Sequence, residues 1–121
     1  MDIPMWVDGY LSIPYEKVNC WGLVQRVYFD RLGIDVGQIE DQRTKMKEGE
    51  WIDLHTIDFE FEGLDVLLFK NSAINRHVAM MLTPSLMLHT VKGANSCIEN
   101  WDTHIWRSRL VGIYRHKSRC K

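Results

Sequence analysis

One cysteine and two histidines of this chain have positions that suit thiol chemistry. Cys20 lies in the segment NCWGLVQRVY, and His77 and His89 lie in the apolar segments RHVAMML and LMLHTV. A thiol attacks as the thiolate, yet a free cysteine, with a pKa of about 8.5, is mostly protonated at neutral pH. A nearby imidazole can take that proton, and a second polar group can hold the imidazole in the required tautomer. The three residues therefore predict a nucleophile, a base and an orienting group, provided that the fold brings them together.

An amphipathic helix is predicted from Asn19 to Leu32. Its apolar positions recur at the spacing of one helical face: Leu23, Val24, Val27, Tyr28 and Leu32. Asn19 is a favourable N-cap, and Gly33 is a favourable C-terminal stop. Cys20 then lies in the first turn, where unpaired N–H groups and the helix dipole stabilise a thiolate. Gly22 is a poor helix former, and we expect its missing side chain to let the histidine strands approach this turn closely.

Five strands are predicted from period-two alternation, at residues 65–70, 76–82, 86–91, 96–100 and 110–116. Because the connections are short, the sheet should be a mostly antiparallel meander. Alternation puts His77 on one face with Ala79 and Met81, and His89 on one face with Met87. Two adjacent antiparallel strands then present both histidines to the same side. If the helix packs on that side, Cys20 joins them.

The order of elements, helix first and strands later, predicts an α+β fold. At 121 residues the chain is expected to form a single domain over residues 1–121, with a loop segment at 1–18 and a basic tail at 116–121. Residues 38–48 favour a second, weaker helix, and residues 51–61 are ambiguous.

Composition excludes several classes of function. The content of 45% hydrophobic and 26% charged residues is typical of a globular protein. A net charge of −1 provides no field to attract nucleic acid or anionic lipid. The longest apolar run has five residues, whereas a membrane span needs about 20. The first residues, MDIPMWVDGY, lack the features of a secretory signal, so we expect synthesis in a cytoplasm without a signal peptide.

The cysteines argue against a disulfide framework or a metal centre. Cys20, Cys97 and Cys120 are odd in number and have no CxxC spacing. His104, His116 and Cys120 lie near one another in sequence and could be considered for zinc. That stretch is rich in Lys and Arg and has no anchoring cysteine pair. No metal and no cofactor are therefore predicted.

Each candidate residue also has a structural interpretation. A single cysteine on a helix is more often a small buried hydrophobe than a nucleophile. A single histidine on a strand is more often structural than catalytic, and this class is taken to include His55, His104 and His116. For Cys20, His77 and His89, the combination of a capped helix start with two histidines on one face favours catalysis.

Several motifs in the correct order resemble the NlpC/P60 family of papain-like cysteine peptidases. They are NCWGLV (19–24), GLDVLLF (63–69), HVAMML (77–82), MLHT (87–90) and LVGIYR (110–115). The resemblance implies a papain-like fold and hydrolysis of peptidoglycan stem peptides, usually at an amide between the γ-carboxyl of D-glutamate and a diamino acid. It assigns Cys20 as nucleophile, His77 as general base and His89 as orienting residue, with the backbone N–H of Cys20 in the oxyanion hole.

The same resemblance implies a tyrosine near the oxyanion or substrate, for which Tyr15 and Tyr10 are the candidates. Asn19 replaces the usual Asp, and Trp21 replaces a small residue, so Trp21 is a candidate wall of the substrate groove. Leu64 interrupts the usual Gly-Asp step, and Asp65 is interpreted as structural. The CWGLV version is similar to the branch found in bacteriophage tail proteins, which implies tail-tip proteins as partners and incorporation into the virion.

Two other functions stay open from the sequence. One is a structural or assembly module of the tail tip with weak or no hydrolysis, or one that processes a tail protein; the substituted flanks Asn19 and Trp21 motivate it. The other is acyl transfer to lipid or protein, for which the sequence offers no apolar anchor or basic amphipathic helix.

Overall fold

The long helix forms where the sequence predicts it. The computed structural model describes residues 3–37, 50–54, 60–71 and 76–119. In it, helix α1 spans Cys20–Leu32. The side-chain oxygen of Asn19 accepts a hydrogen bond of 2.8 Å from the Gly22 N–H, which satisfies one of the unpaired donors of the first turn. Gly33 ends the helix with φ 67°, a left-handed conformation that favours glycine.

Within the described residues the sheet has six strands, one more than predicted. They are β1 (Trp51–Asp53), β2 (Val66–Lys70), β3 (Arg76–Met81), β4 (Leu86–His89), β5 (Cys97–Asn100) and β6 (Leu110–His116). All described pairs are antiparallel, in the order β1-β6-β2-β3-β4-β5. The additional strand, β1, comes from the segment that was ambiguous in sequence. The predicted α+β class is confirmed, and β2 to β5 form the predicted meander.

Three short helical elements of the described residues were not predicted, and one of them is a 3-10 helix over Lys117–Arg119 in the basic tail. A 3-10 helix spans Met5–Tyr10 within the expected N-terminal loop. Helix α2 spans His104–Arg109 and connects β5 to β6. The hydroxyl of its N-cap, Thr103, accepts a hydrogen bond of 3.3 Å from the Trp106 N–H. With six residues, α2 is too short to show a clear apolar period. The weaker helix predicted at residues 38–48 lies outside the described residues.

The two faces of the sheet are buried by different elements. α1 covers one face with Leu23, Val24, Val27 and Tyr28, all at most 1% exposed. The sheet residues beneath them are Val66, Leu68, Val78, Met80, Leu82 and Leu88. The opposite face forms a second cluster, built on Leu67, Phe69, Ala79, Met81, Met87 and Ile113. Leu32, predicted on the buried stripe, is 36% exposed because the helix ends there.

A buried ion pair fixes β2 to β6. Asp65 is fully buried, and its carboxylate accepts two hydrogen bonds from Arg115, of 2.9 and 2.7 Å. Arg119 donates a third, of 3.4 Å. Burial raises the pKa of Asp65, against the opposing effect of Arg115. Leu64, which precedes this residue, has φ 75°, where a glycine is the usual occupant. These contacts agree with the structural interpretation of Asp65.

Candidate active site

Backbone hydrogen bonds bring the start of α1 to one end of the sheet. The Ser12 N–H donates to the Ser96 carbonyl (2.9 Å), and the Ser96 N–H donates to the Ile13 carbonyl (2.8 Å). The Tyr15 N–H donates to the Ala94 carbonyl (3.1 Å). These partners directly precede β5, beside the end of β4 that carries a histidine. A tight turn follows, and α1 begins at this end of the sheet.

Cys20 is the first residue of α1 and is 6% exposed. Its position in the first turn is the one predicted from the Asn19 cap. The side chain lies in the cluster of buried residues between α1 and the sheet. The first turn offers the unpaired N–H groups and the positive dipole end that favour a thiolate.

His77 and His89 form a hydrogen-bonded pair, with 2.9 Å between Nε2 of His77 and Nδ1 of His89. Both are buried, at 7% and 2% exposure. The prediction that they share one face of the sheet is confirmed, because His77 packs on Phe69 and Trp106 of the second cluster. The structure therefore joins two of the three predicted catalytic residues directly.

The condition set in the sequence analysis, that α1 packs on the histidine face, is not met. α1 packs on Val78, Met80 and Leu82, which alternate with the histidine side of β3. Alternation defines two faces but does not say which one a helix covers, and the aliphatic side chains suit the apolar stripe of α1 better. Cys20 and the histidine pair therefore reach the same end of the sheet from opposite faces.

Glu99 contacts the ring nitrogen of His89 that does not face His77. Its Oε1 lies 2.9 Å from Nε2 of His89, and its Oε2 accepts a hydrogen bond of 2.6 Å from the indole N–H of Trp106. The ring of Trp106 packs against both histidines, with centroids 5.7 Å from His77 and 5.4 Å from His89. Neither residue was singled out in the sequence. Alternation in the predicted strand 96–100 would have placed Glu99 on the same face as Cys97. No apolar period in the sequence indicated the helix that carries Trp106.

The protonation of this chain of contacts follows from burial. Burial lowers the pKa of His77 to about 3, with the neighbouring His89 and Arg109 acting in the same direction. Burial also lowers the pKa of His89, against the opposing effect of Glu99. Both rings are then neutral at pH 7 and carry one N–H each. An ionised Glu99 only accepts, so His89 donates from Nε2 and accepts at Nδ1. His77 in turn donates from Nε2, which leaves the lone pair on its Nδ1.

We expect the tautomer of His89 to depend on Glu99. Long-range ¹H–¹⁵N correlation spectra of the wild type should show an Nε2–H tautomer for both buried histidines. Glu99→Gln retains an acceptor oxygen and should keep this pattern, whereas Glu99→Ala should give a mixture of tautomers at His89. The exposed His104 serves as the internal reference. An Nδ1–H tautomer of His89 in the wild type would contradict the assignment.

The tyrosine candidates differ in position. The Tyr10 hydroxyl donates to Asp30 Oδ2 (2.7 Å), ten residues along α1 from Cys20 and therefore about 15 Å from the helix start. That distance removes Tyr10 from an oxyanion role. Burial raises the pKa of Tyr15, and the electrostatic interaction with Cys20 raises it further. An interaction of this kind requires Tyr15 to lie near Cys20. Tyr15 is therefore the better placed of the two.

Trp21 and Gly22 do not have the positions expected of them. Trp21 is 3% exposed; its indole N–H donates to the Gly37 carbonyl (2.8 Å), and its ring packs on Trp51. It is a core residue and not a wall of a groove. A Cβ at Gly22 would meet Asn19 Oδ1 at 3.1 Å and Val18 Cγ1 at 3.3 Å, but no atom of a histidine strand. The glycine therefore leaves room for the cap and not for the strands.

A surface groove adjoins the start of α1. It is lined by Tyr15, Glu16, Lys17, Asn19, Lys92 and Gly93. The groove has two ammonium groups and one carboxylate, so it suits a ligand with free carboxylates. Its position beside Asn19 puts it next to the candidate nucleophile.

A match to a protein-family model establishes the family to which this chain belongs. The model of the NlpC/P60 family matches residues 9–115. The chain belongs to the NlpC/P60 family. Membership suggests a peptidoglycan-related hydrolase, since the family usually comprises cysteine peptidases or amidases. No curated protein matches the chain in sequence.

A solved structure supports the NlpC/P60 fold. It is a crystal structure of an NLP/P60-family protein, described as similar to lipoprotein, from Staphylococcus aureus subsp. aureus Mu50. It superposes with a TM-score of 0.56 at 22% sequence identity. The match covers 80% of this chain and 31% of that chain, so this chain spans about a third of its length. Within the described residues of the NlpC/P60 chain, the helices are too short or too polar to cross a bilayer.

Proposed function

We propose that this NlpC/P60 chain is a phage tail-associated cysteine peptidase that cleaves peptidoglycan stem peptides at a γ-D-glutamyl-diamino acid amide. The observation that carries the proposal is the hydrogen-bonded chain His77–His89–Glu99, at the end of the sheet where α1 begins with a capped cysteine. A base held by two further polar groups is the arrangement that thiol catalysis needs.

The mechanism assigns one step to each residue. Nδ1 of His77 takes the proton of the Cys20 thiol, and the thiolate attacks the amide carbon. The backbone N–H of Cys20 stabilises the oxyanion, which is normally a large contribution in acyl transfer. His77 then gives the proton to the leaving amine. Water, deprotonated by His77, attacks the acyl carbon, the C–S bond breaks, and His77 returns the proton to Sγ of Cys20. The mechanism requires Nδ1 of His77 to reach Sγ of Cys20 in the substrate complex, where catalytic contacts tighten.

The groove beside α1 supports a stem-peptide substrate. Stem peptides carry free carboxylates, and Lys17 and Lys92 supply complementary charge beside the helix start. Tyr15 lines the same groove, which supports a contact between its side chain and the reacting amide. The neutral His77 is the form that accepts a proton, and a thiolate beside it would offset the effect of burial on its pKa.

Defined muropeptides test the proposed reaction. Incubation of the protein with a muropeptide that contains the D-glutamyl-diamino acid bond should release two fragments whose masses sum to substrate plus water. Fragments from a different bond would correct the specificity. An unchanged muropeptide, under conditions where a known stem-peptide endopeptidase cuts it, would refute the hydrolase.

A second candidate function is a tail-tip structural or assembly module with weak or no hydrolysis, whereas processing of a tail protein would use the same catalytic residues as the first function. The observation that favours it is the environment of His77. Its ring packs on Phe69 and Trp106, its pKa is lowered to about 3, and it lies on the face opposite α1. A histidine in such a site is a weak base.

Thiol alkylation distinguishes the two functions. If Cys20 is an activated nucleophile, iodoacetamide should label it at about pH 6 much faster than the exposed Cys97, whose pKa is raised by burial and Glu99. Peptide mapping by mass spectrometry gives both rates in one sample. Equal and slow labelling would favour the assembly module. Unfolded protein would label all thiols alike, so the native circular dichroism spectrum is checked first.

The proposed setting is a bacterial host cytoplasm for synthesis and a phage tail for assembly. The CWGLV segment at the start of α1, which is similar to phage tail members, supports this part of the proposal. Mass spectrometry of purified virions should detect peptides of the chain. Their absence from virions, with the chain present in the infected cell, would refute incorporation.

A further inference from the structure

Three potential metal ligands lie together on the face of the sheet opposite α1. β4 and β5 pair so that Cys97 stands directly opposite His89, and Glu99 follows two residues later on the same face. A ring nitrogen of His89, Sγ of Cys97 and a carboxylate oxygen of Glu99 all lie within 4.8 Å of one another, and Nε2 is the ring nitrogen that faces Glu99. Two of the three therefore belong to the hydrogen-bonded chain of the candidate active site, whereas Cys97 has no part in the proposed reaction.

These ligand atoms suit a zinc-like ion. One imidazole, one thiolate and one carboxylate form a mixed N, S and O set, which Zn²⁺ accepts readily and which disfavours Mg²⁺ and Ca²⁺. Ligand atoms around tetrahedral zinc are roughly 3.5 Å apart, given bond lengths of about 2.0–2.3 Å. The pairing of β4 with β5 fixes the backbone positions of the three ligand residues. Because the side chains of Cys97 and Glu99 are exposed, they can rotate to bring the ligand atoms from up to 4.8 Å to that separation.

The surroundings supply the outer contacts that metal ligands need. Nδ1 of His89 is hydrogen-bonded to His77, which orients the ring. The second oxygen of Glu99 is held by the indole N–H of Trp106, and the first faces Nε2 of His89, so an ion would replace the proton between these two atoms. Such outer hydrogen bonds typically contribute about 10- to 100-fold in metal affinity. Because two of the three ligands are exposed, an ion can enter from solvent and keep water as its fourth ligand.

The geometry points to a regulatory site for Zn²⁺ formed by His89, Cys97 and Glu99, at which the bound ion inactivates the catalytic histidine pair. The binding part stands on these contacts by itself, and the inactivation part rests on the proposed function. Cys97 binds as the thiolate and releases its proton to solvent.

Inactivation follows from where the protons must go. An ion on Nε2 of His89 displaces the proton from that atom to solvent. His89 stays neutral by taking the shared proton from Nε2 of His77 onto its own Nδ1. His77 takes a proton from solvent at Nδ1, the atom that would otherwise accept the thiol proton. The ion thus reverses the hydrogen bond between the two rings and blocks the base without contacting Cys20.

Titration with Co²⁺, a spectroscopic substitute for zinc, tests the binding part. The full chain should develop a cobalt–thiolate charge-transfer band in the near ultraviolet. Cys97→Ser should abolish the band, and the matched control Cys20→Ser should retain it. A band that persists in Cys97→Ser, or is lost in Cys20→Ser, would place the ion elsewhere and overturn the site. Absence of a band in the wild type would also overturn it.

Zn²⁺ titration of muropeptide cleavage tests the inactivation part. Zinc should inhibit the wild type, and Cys97→Ser should have the same metal-free activity but resist inhibition. Equal inhibition of both proteins would overturn the regulatory role. If neither protein cleaves, the proposed function fails, and the cobalt result still decides the site. Long-range ¹H–¹⁵N spectra then decide the coupling: zinc should convert both histidines to Nδ1–H tautomers, and unchanged tautomers would refute it.

Discussion

Cys20→Ala is expected to abolish the release of stem-peptide fragments from purified sacculi. The residue supplies the nucleophile in the proposed reaction, and the alanine methyl group cannot replace a thiolate at the first turn of α1. Removal of the nucleophile from a comparable catalytic set lowers kcat on the order of 10⁴- to 10⁶-fold. Fragments are quantified by mass spectrometry at several protein concentrations. Undiminished release by Cys20→Ala would refute the mechanism.

Controls separate catalysis from folding. Cys20 is buried, so the alanine variant leaves a small cavity, and Cys20→Ser, which is nearly isosteric, serves as the second variant. His77→Ala should be equally inactive, whereas His104→Ala should retain activity because that side chain is exposed on α2. Circular dichroism and the unfolding midpoint establish that each variant is folded. Loss of activity in the His104 variant would indicate a site larger than the proposed triad.

Asp65→Ala is expected to have the largest effect on stability among single substitutions at polar residues. The carboxylate is fully buried and accepts two hydrogen bonds from Arg115. Its removal leaves guanidinium groups with a lost partner in the interior. Breaking a buried pair in this way typically costs about 3–5 kcal/mol in the free energy of unfolding. For a domain of this size the midpoint of thermal unfolding should fall by roughly 10–20 °C.

An exposed ion pair in the same chain provides the control. Asp102 contacts Arg107, and both side chains are about half exposed. Asp102→Ala should therefore lower the free energy of unfolding by at most about 1 kcal/mol. Urea unfolding of both variants, followed by circular dichroism, measures the difference. Similar losses in the two variants would show that the Asp65 network is no more stabilising than a surface pair.

The bounds of the long helix and the strand face of each histidine could be predicted from the sequence without the fold. The α1 boundaries followed from the Asn19 cap, the apolar period and the left-handed stop at Gly33. These signals depend on residues within one or two helical turns. Strand alternation likewise put His77 and His89 on one face, because the side-chain period of a strand is two whatever it pairs with. The order of elements, helix first and strands later, predicted the α+β class, and the family's motif order added the papain-like fold.

Contacts between segments that are distant in sequence could not be predicted from such local patterns. β6 inserts between β1 and β2, and the Asp65–Arg115 contact joins residues fifty apart in sequence. Trp21 looked like a groove residue next to the thiol, but Trp51 and the Gly37 carbonyl bury it. No pattern within the α1 segment indicates either partner, since both come from outside the helix.

Cys20, His77 and His89 could therefore be identified as candidates from the sequence alone. Cys20 lies at a capped helix start, and the two histidines lie on one face of the sheet. Only the tertiary structure decided what surrounds them. It placed α1 on the face opposite the histidines, because aliphatic residues of β3 and β4 match the helix stripe. It also brought Glu99 and Trp106 to the histidine pair, because β5 pairs with β4 and the Trp106 ring of α2 packs on both histidines. The identity of reactive groups is a property of the sequence, whereas their protons and partners depend on packing.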